Sequence, residues 1–212
     1  MKKNLFICLL LVLTGMVVTG CGSCQSEKSK QDMKEVVYHD YDGVVQDFTG
    51  GVAQEQALHR QTMFALVGGD YEWRNSRIIF NDTVTYENIG DVHVTDVIDI
   101  FQYWDKGPWV QYISTNVTKG TQIPWPIDSP WIEDDDMSEE TVKLTAEQAL
   151  GRLKEYNGIL PKGCDFMTLR LPVGPKACNP QWVFGDTFNV LFIDAVTGEV
   201  RNWNPAFPKP NN

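Results

Sequence analysis

The sequence predicts an α+β fold made of two tandem units, each a helix followed by antiparallel strands, at residues 48–117 and 142–204. Three observations carry this expectation. "EQALHR" at Glu55–Arg60 returns as "EQALGR" at Glu147–Arg152, 92 residues later, and each copy opens a stretch with helical apolar spacing. Runs rich in β-branched and aromatic residues follow both copies, broken by turn-forming residues. Between them lies "TKGTQIPWPIDSPWIEDDDMSEE", whose three prolines and acidic run suit neither helix nor strand, so residues 118–141 read as a linker.

In the first unit, Ala53, Ala57, Leu58, Met63, Phe64 and Val67 populate a helix that stops at Gly68-Gly69. Strands are expected in "YEWRNSRIIF", "TVTYENI", "VHVTDVIDIFQYW" and "WVQYIST", the last two joined by a turn at Asp105–Pro108. In the second unit Thr145 and Gln148 have the spacing of a capping box. Ala146, Ala149, Leu150 and Leu153 then fall on one face, and Gly158 and Pro161 end the helix. Strands follow in "FMTLRLPV", "QWVFG" and "VLFIDA", with a final turn at Ala195–Gly198. The two hairpins "QYWDKGPWVQY" and "FIDAVTGEVRNW" lie 90 residues apart and are read as equivalent. The alternative is that both matches arise by chance among common helix-forming and strand-forming residues. Residues 205–212 are left as a tail.

The amino terminus is organised differently. Lys2 and Lys3 precede the apolar run Leu5–Val18, the layout of a secretory signal and shorter than the about 20 residues of a membrane span. Val18-Thr19-Gly20-Cys21 resembles the lipobox of bacterial lipoproteins. The resemblance implies that residues 1–20 are removed and that Cys21 carries a diacylglycerol and a further acyl chain, enough for stable anchoring. It places the chain in the cell envelope, and the absence of Asp after Cys21 favours the outer membrane, on either its periplasmic or its surface face. A redox reading of Cys21-Gly22-Ser23-Cys24 fails for want of a flanking βαβ pattern. Residues 21–47 begin polar and mixed in charge and read mostly as a flexible tether. Losing Lys2 and Lys3 takes the net charge from −10 to −12, which disfavours nucleic acid as a partner.

The stretch Leu144–Trp203, carried by "LTAEQALGRL", "WVF" at Trp182–Phe184 and "VLFIDAVTGEVRNW", resembles the PepSY domain and its relatives. The resemblance covers about 60 residues well; the first unit lacks the Thr-Gly-Glu turn. It implies a small helix-on-sheet module of envelope proteins, without catalytic residues, that restrains peptidases or binds partners.

Chemistry-bearing motifs are sparse. No G-x-S-x-G, H-E-x-x-H, P-loop or dinucleotide glycine pattern occurs, and no cofactor is expected. The histidines are His39, His59 and His93; His59 is read as a surface or satisfied core residue of the first helix, and His93 as solvent-facing. "YHDYDG" at Tyr38–Gly43 fails as a calcium loop, because Tyr38 and Thr49 stand where carboxylates are required. The acids Glu133–Asp136 read as a solvated linker rather than a cation site. After the signal and the lipid take Cys8 and Cys21, Cys164 and Cys178 are the natural disulfide pair, closing a loop that would contribute roughly 3 kcal/mol. Against this, a reversal near Val173–Lys176 sets Cys178 opposite about Leu171 instead.

Trp104, Trp109, Trp125 and Trp131 crowd into a short span with interleaved prolines. They read either as a binding platform or as a seal between the two units. The functional expectation is a non-catalytic lipoprotein, held to the membrane through Cys21, that binds a protein partner such as a peptidase. One alternative is a surface glycan-binding lipoprotein that uses exposed tryptophans; another is a hydrolase, which requires a cleft that brings a histidine within hydrogen-bond reach of a carboxylate and a nucleophile.

Overall fold

A computed structural model describes residues 51–104, 108–116, 120–122, 134–185, 189–209 and 211, with 108, 109 and 120–122 described in their backbone alone. The signal segment, Cys21, Cys24, the tether, His39, Trp125 and Trp131 lie outside the described residues, as does the side chain of Trp109.

Helix α1 spans Val52–Val67 and is closed by Gly68, whose φ of 75° is a backbone state open to glycine at little cost. Strands β1 (Tyr71–Phe80), β2 (Val94–Trp104), β3 (Pro108–Asn116) and β4 (Gly120–Gln122) follow as an antiparallel meander. After the two-residue β5 (Asp134–Asp135) comes helix α2 (Ala146–Glu155), then β6 (Phe166–Pro172), β7 (Gln181–Gly185), β8 (Val190–Asp194) and β9 (Val200–Arg201). The expected capping box is present: Gln148 N donates to Thr145 Oγ1 at 3.3 Å and Thr145 N to Gln148 Oε1 at 2.9 Å. The α2 helix ends at Glu155, ahead of Gly158 and Pro161.

Helix-then-four-strands thus occurs twice along the chain, but the two sets of strands do not form two sheets. Strand β1 pairs antiparallel with β6, from Asn75↔Arg170 to Ile79↔Phe166, giving one sheet in the order β4-β3-β2-β1-β6-β7-β8-β9. The halves are therefore joined by backbone hydrogen bonds, where the sequence suggested an aromatic seam. The β1–β6 ladder stops at Asn75↔Arg170, beside a bulge at Trp73/Asn75 in the β1–β2 ladder, and β5 takes up the pairing along β6: Asp134 and Asp135 pair with Pro172 and Leu171. Trp73 N meanwhile donates to Asp136 Oδ1 and Ser138 Oγ. The segment read as a linker thus contributes β4 and β5, a correction to the sequence reading.

Both helices reach one core cluster, α2 through an apolar face and α1 through Val52 and Met63, the rest of its buried face being the polar Glu55, Gln56 and His59. Ala146, Ala149, Leu150 and Leu153 of α2 share it with Trp182, Phe184, Leu191 and Ile193 of the strands that follow. The link is fixed by polar contacts. Trp182 Nε1 donates to Leu144 O at 2.9 Å, and the amides of Lys143 and Leu144 donate to Ala195 O. Truncating a buried tryptophan of this kind costs about 3–5 kcal/mol.

Three more sequence readings are corrected. "TVTYENI" is a turn, not a strand. Asn88 draws the chain inward, its amide donating to Thr83 O while its carbonyl accepts from Thr85 N, and local side-chain bonds of this kind replace a ladder. The two hairpins are not equivalent: Trp104↔Pro108 closes β2–β3, whose positional counterpart is β7–β8, whereas the Thr197-Gly198 turn closes β8–β9. Residues 205–209 are no loose tail, since Ala206 is buried and its carbonyl accepts from Lys176 N.

Cys164 and Cys178 are not bridged. Cys164 precedes β6 beside Val84, whose amide donates to Cys164 O. Cys178 lies past the other end of β6, near Asp194 and Arg201. Seven residues of strand, roughly 20 Å, separate the two ends.

Candidate functional site: the open face of the sheet

Alternation along the strands sends one set of side chains to the helices and the other to the opposite face. That face, which neither described helix covers, holds a groove of about 630 Å³. Strand register resolves its lining into two rows running across five strands. One row is Tyr112, Ile100, Asn75, Arg170 and Gln181; the next is Ser114, Ile98, Arg77, Thr168 and Val183. Nine of these ten residues line the groove, joined by Asp134 from β5. At the usual strand spacing each row spans roughly 19 Å.

The centre of both rows is polar, with Ile98 and Ile100 beside it on β2 and Val183 on β7, while the outer positions Ser114 and Gln181 are polar again. Asp134, 2 % exposed, accepts from Asn75 Nδ2 at 2.9 Å and from Arg170 Nη1 at 3.2 Å, while its carbonyl accepts from Arg74 Nη1. The acidic run that read as solvated linker thus places one carboxylate inside the fold, clamping β1, β5 and β6 together. The Arg77 guanidinium stacks on the Phe166 ring at 4.0 Å, is exposed, and has no carboxylate in ion-pair range among the described residues. Two buried atoms at the Arg170 end have no hydrogen-bond partner among the described residues, Arg170 Nε and Gln181 Oε1, on residues that face each other across β6 and β7. Burial pushes the Tyr112 phenol up, so it stays protonated and able to donate. Along the same face beyond Ile98, Asp96 accepts from Thr95 Oγ1 and Asn116 Nδ2.

A second cluster sits on the helix side. His59 of α1 places Nδ1 2.6 Å from Asp99 Oδ2 on β2 and Nε2 2.7 Å from Thr115 Oγ1 on β3; Trp73 Nε1 donates to Asp99 Oδ1 at 3.0 Å. A carboxylate only accepts, so Nδ1 carries a proton toward Asp99. The order hydroxyl, imidazole, carboxylate is that of a hydrolytic triad. All three side chains are 0 % exposed, however, and none lines the groove. The arrangement fastens α1 to the sheet, with Gln56 Nε2 donating to Ser76 Oγ at 2.7 Å alongside. His59 is the satisfied core histidine of the two readings offered, and His93 is exposed just ahead of β2.

Among the tryptophans singled out, Trp104 is 51 % exposed at the end of β2 and does not line the groove; the backbone of Trp109 pairs with Tyr103. The wholly buried tryptophans are Trp73 and Trp182. No group of three or more potential metal-ligating side chains occurs among the described residues. Sequence reasoning missed Asn75, Arg77, Thr168 and Arg170. The available signal was their period-two spacing on the polar face of strands β1 and β6.

Compared with family models, with curated proteins and with solved structures, the chain matches none.

Proposed function

We propose that this chain is a non-catalytic lipoprotein of the cell envelope, anchored through lipid on Cys21, that binds a protein partner across the open face of its sheet. The observation that carries the reading is the groove: five strands present a polar centre with apolar side chains beside it, and neither described helix lies over them. Its lining contains no histidine or cysteine, and the cluster with triad-like order is sealed in the core on the other side. A concave surface with a few polar groups set among apolar ones is how proteins present a recognition site. The twice-met order of one helix and four strands supports a finer reading, two PepSY-like units fused through β1 and β6. A peptidase restrained by the module is then a fitting partner, and the outer membrane a fitting location.

Affinity capture from envelope extract tests the reading, with the Cys21→Ser chain as bait in three forms. The parent and a helix-side variant, Gln61→Asp, should retain the same protein, and Ile98→Asp in the groove should lose it. Equal recovery by all three contradicts the proposal, and recovery of polysaccharide alone turns it to the glycan reading. Metabolic labelling with palmitate, expected on the unsubstituted chain and absent from Cys21→Ser, tests the anchor.

A further inference from the structure

We infer that the centre of the groove is a carboxylate clamp, which recognises a glutamate or aspartate side chain flanked by apolar residues on an extended segment of the partner. The inference rests on the open-face reading and specifies what that face selects. Arg77 and Arg170 stand on diagonal positions of the β1–β6 pair, two residues apart in register, because Arg77 faces Thr168 while Arg170 faces Asn75. Diagonal side chains of an antiparallel pair lie about 7–8 Å apart, within reach of one common group for residues as long as arginine. The two arginines are related by the local two-fold through the Ser76↔Leu169 pair, so both stand on the open face, one on either side of that pair.

The charge of the place sets it apart from the rest of the molecule. The chain carries a net charge of −10, yet among the described residues the groove lining holds two arginines against the single carboxylate of Asp134. Asp134 engages Arg170 through Nη1 alone, and the Nε of that guanidinium is a buried donor with no partner among the described residues. Arg77 is oriented by Phe166 and exposed to the groove. Guanidinium groups bind carboxylates through paired, charge-assisted hydrogen bonds. Beside the arginines stand Ile98 and Ile100 toward β3 and Val183 toward β8. A matching segment that crosses the strands therefore carries its acid between apolar side chains.

The test uses nuclear magnetic resonance titration of the Cys21→Ser chain with two probes, acetyl-leucyl-glutamyl-leucinamide and its glutaminyl counterpart. The glutamyl peptide should move the Nε–H signals of Arg77 and Arg170 and the methyls of Ile98 and Ile100, and bind about tenfold tighter than the glutaminyl one. Arg77→Gln, at an exposed position, should remove most of that preference, and Arg170→Lys should weaken it while keeping Asp134 paired. Equal binding of the two peptides in the groove overturns the clamp and leaves the open-face reading standing. Shifts confined to α1 and α2 overturn both. Absence of binding up to the solubility limit, or displacement of the peptide by inorganic phosphate at lower concentration than by the peptide itself, also overturns the clamp.

Discussion

Replacing His59 with leucine tests the idea that the buried histidine cluster is structural. Leucine fills much of the imidazole volume, so the perturbation is loss of polarity rather than creation of a void. It leaves the Asp99 carboxylate, 0 % exposed, with the indole of Trp73 but without the 2.6 Å contact to His59. Removing one partner of a buried hydrogen-bonded pair leaves the other unsatisfied, at a cost of about 1–3 kcal/mol and more for a charged group. Against a total of about 5–15 kcal/mol for a domain, that is a large share. Replacing both partners by apolar residues is far less costly, so His59→Leu/Asp99→Leu should lie closer to the parent than the sum of the single changes. Urea unfolding followed by the fluorescence of the buried Trp73 and Trp182 measures each variant, with an unchanged slope confirming that stability alone moved. A His59→Leu cost under about 1 kcal/mol, with strictly additive behaviour in the double variant, would refute the reasoning.

Other outcomes follow from the same geometry. Thr145→Ala removes the α2 cap and should cost about 1 kcal/mol, read as a lower urea midpoint. Burial works to raise the Asp194 carboxyl, but the amides of Thr197 and Val196, the Asn179 amide and the Thr197 hydroxyl together hold it below the ordinary value. A depressed folded-state pKa gives stability that is full above the unfolded value of about 3.9 and lost as pH falls through the folded value. The stability gap between the parent and Asp194→Asn should therefore be widest at neutral pH and close in acid; a gap independent of pH contradicts the assignment. Burial, reinforced by the Asp194 carboxylate, pushes the Cys178 thiol up against the weaker pull of Arg201. Maleimide should label Cys178 slowly in the native protein and Cys164 only on unfolding, both without reductant. Labelling that requires prior reduction contradicts the unbridged arrangement.

Local signals were legible in the sequence to the degree that they were local. The run Tyr71–Phe80 and the cap at Thr145 are written in adjacent residues, and the structure places both where the pattern does. "TVTYENI" misled because β-branched residues there serve turn geometry set by Asn88. The acids at Asp134–Asp136 look solvated until β5 and β6 meet, and that pairing joins residues far apart in the chain. The groove has the same character. Arg77 and Arg170 are 93 positions apart and become neighbours only through the β1–β6 ladder, which no periodicity announces. Asp99 offered a clue that went unused, a charged residue between the core-facing Val97 and Phe101. Such a residue needs a buried partner, and His59 supplies it.

The central proposal is that the chain works through the open face of its sheet, the side away from the two described helices. Site-specific photo-crosslinking in living cells tests it most directly, with a benzophenone amino acid placed at Tyr112 in the groove or at Gln54 on the exposed side of α1. The account predicts a discrete protein adduct from position 112 that fades when Arg77→Glu is added, and none from position 54. An adduct from position 54 alone, or the same adduct from both, would contradict it.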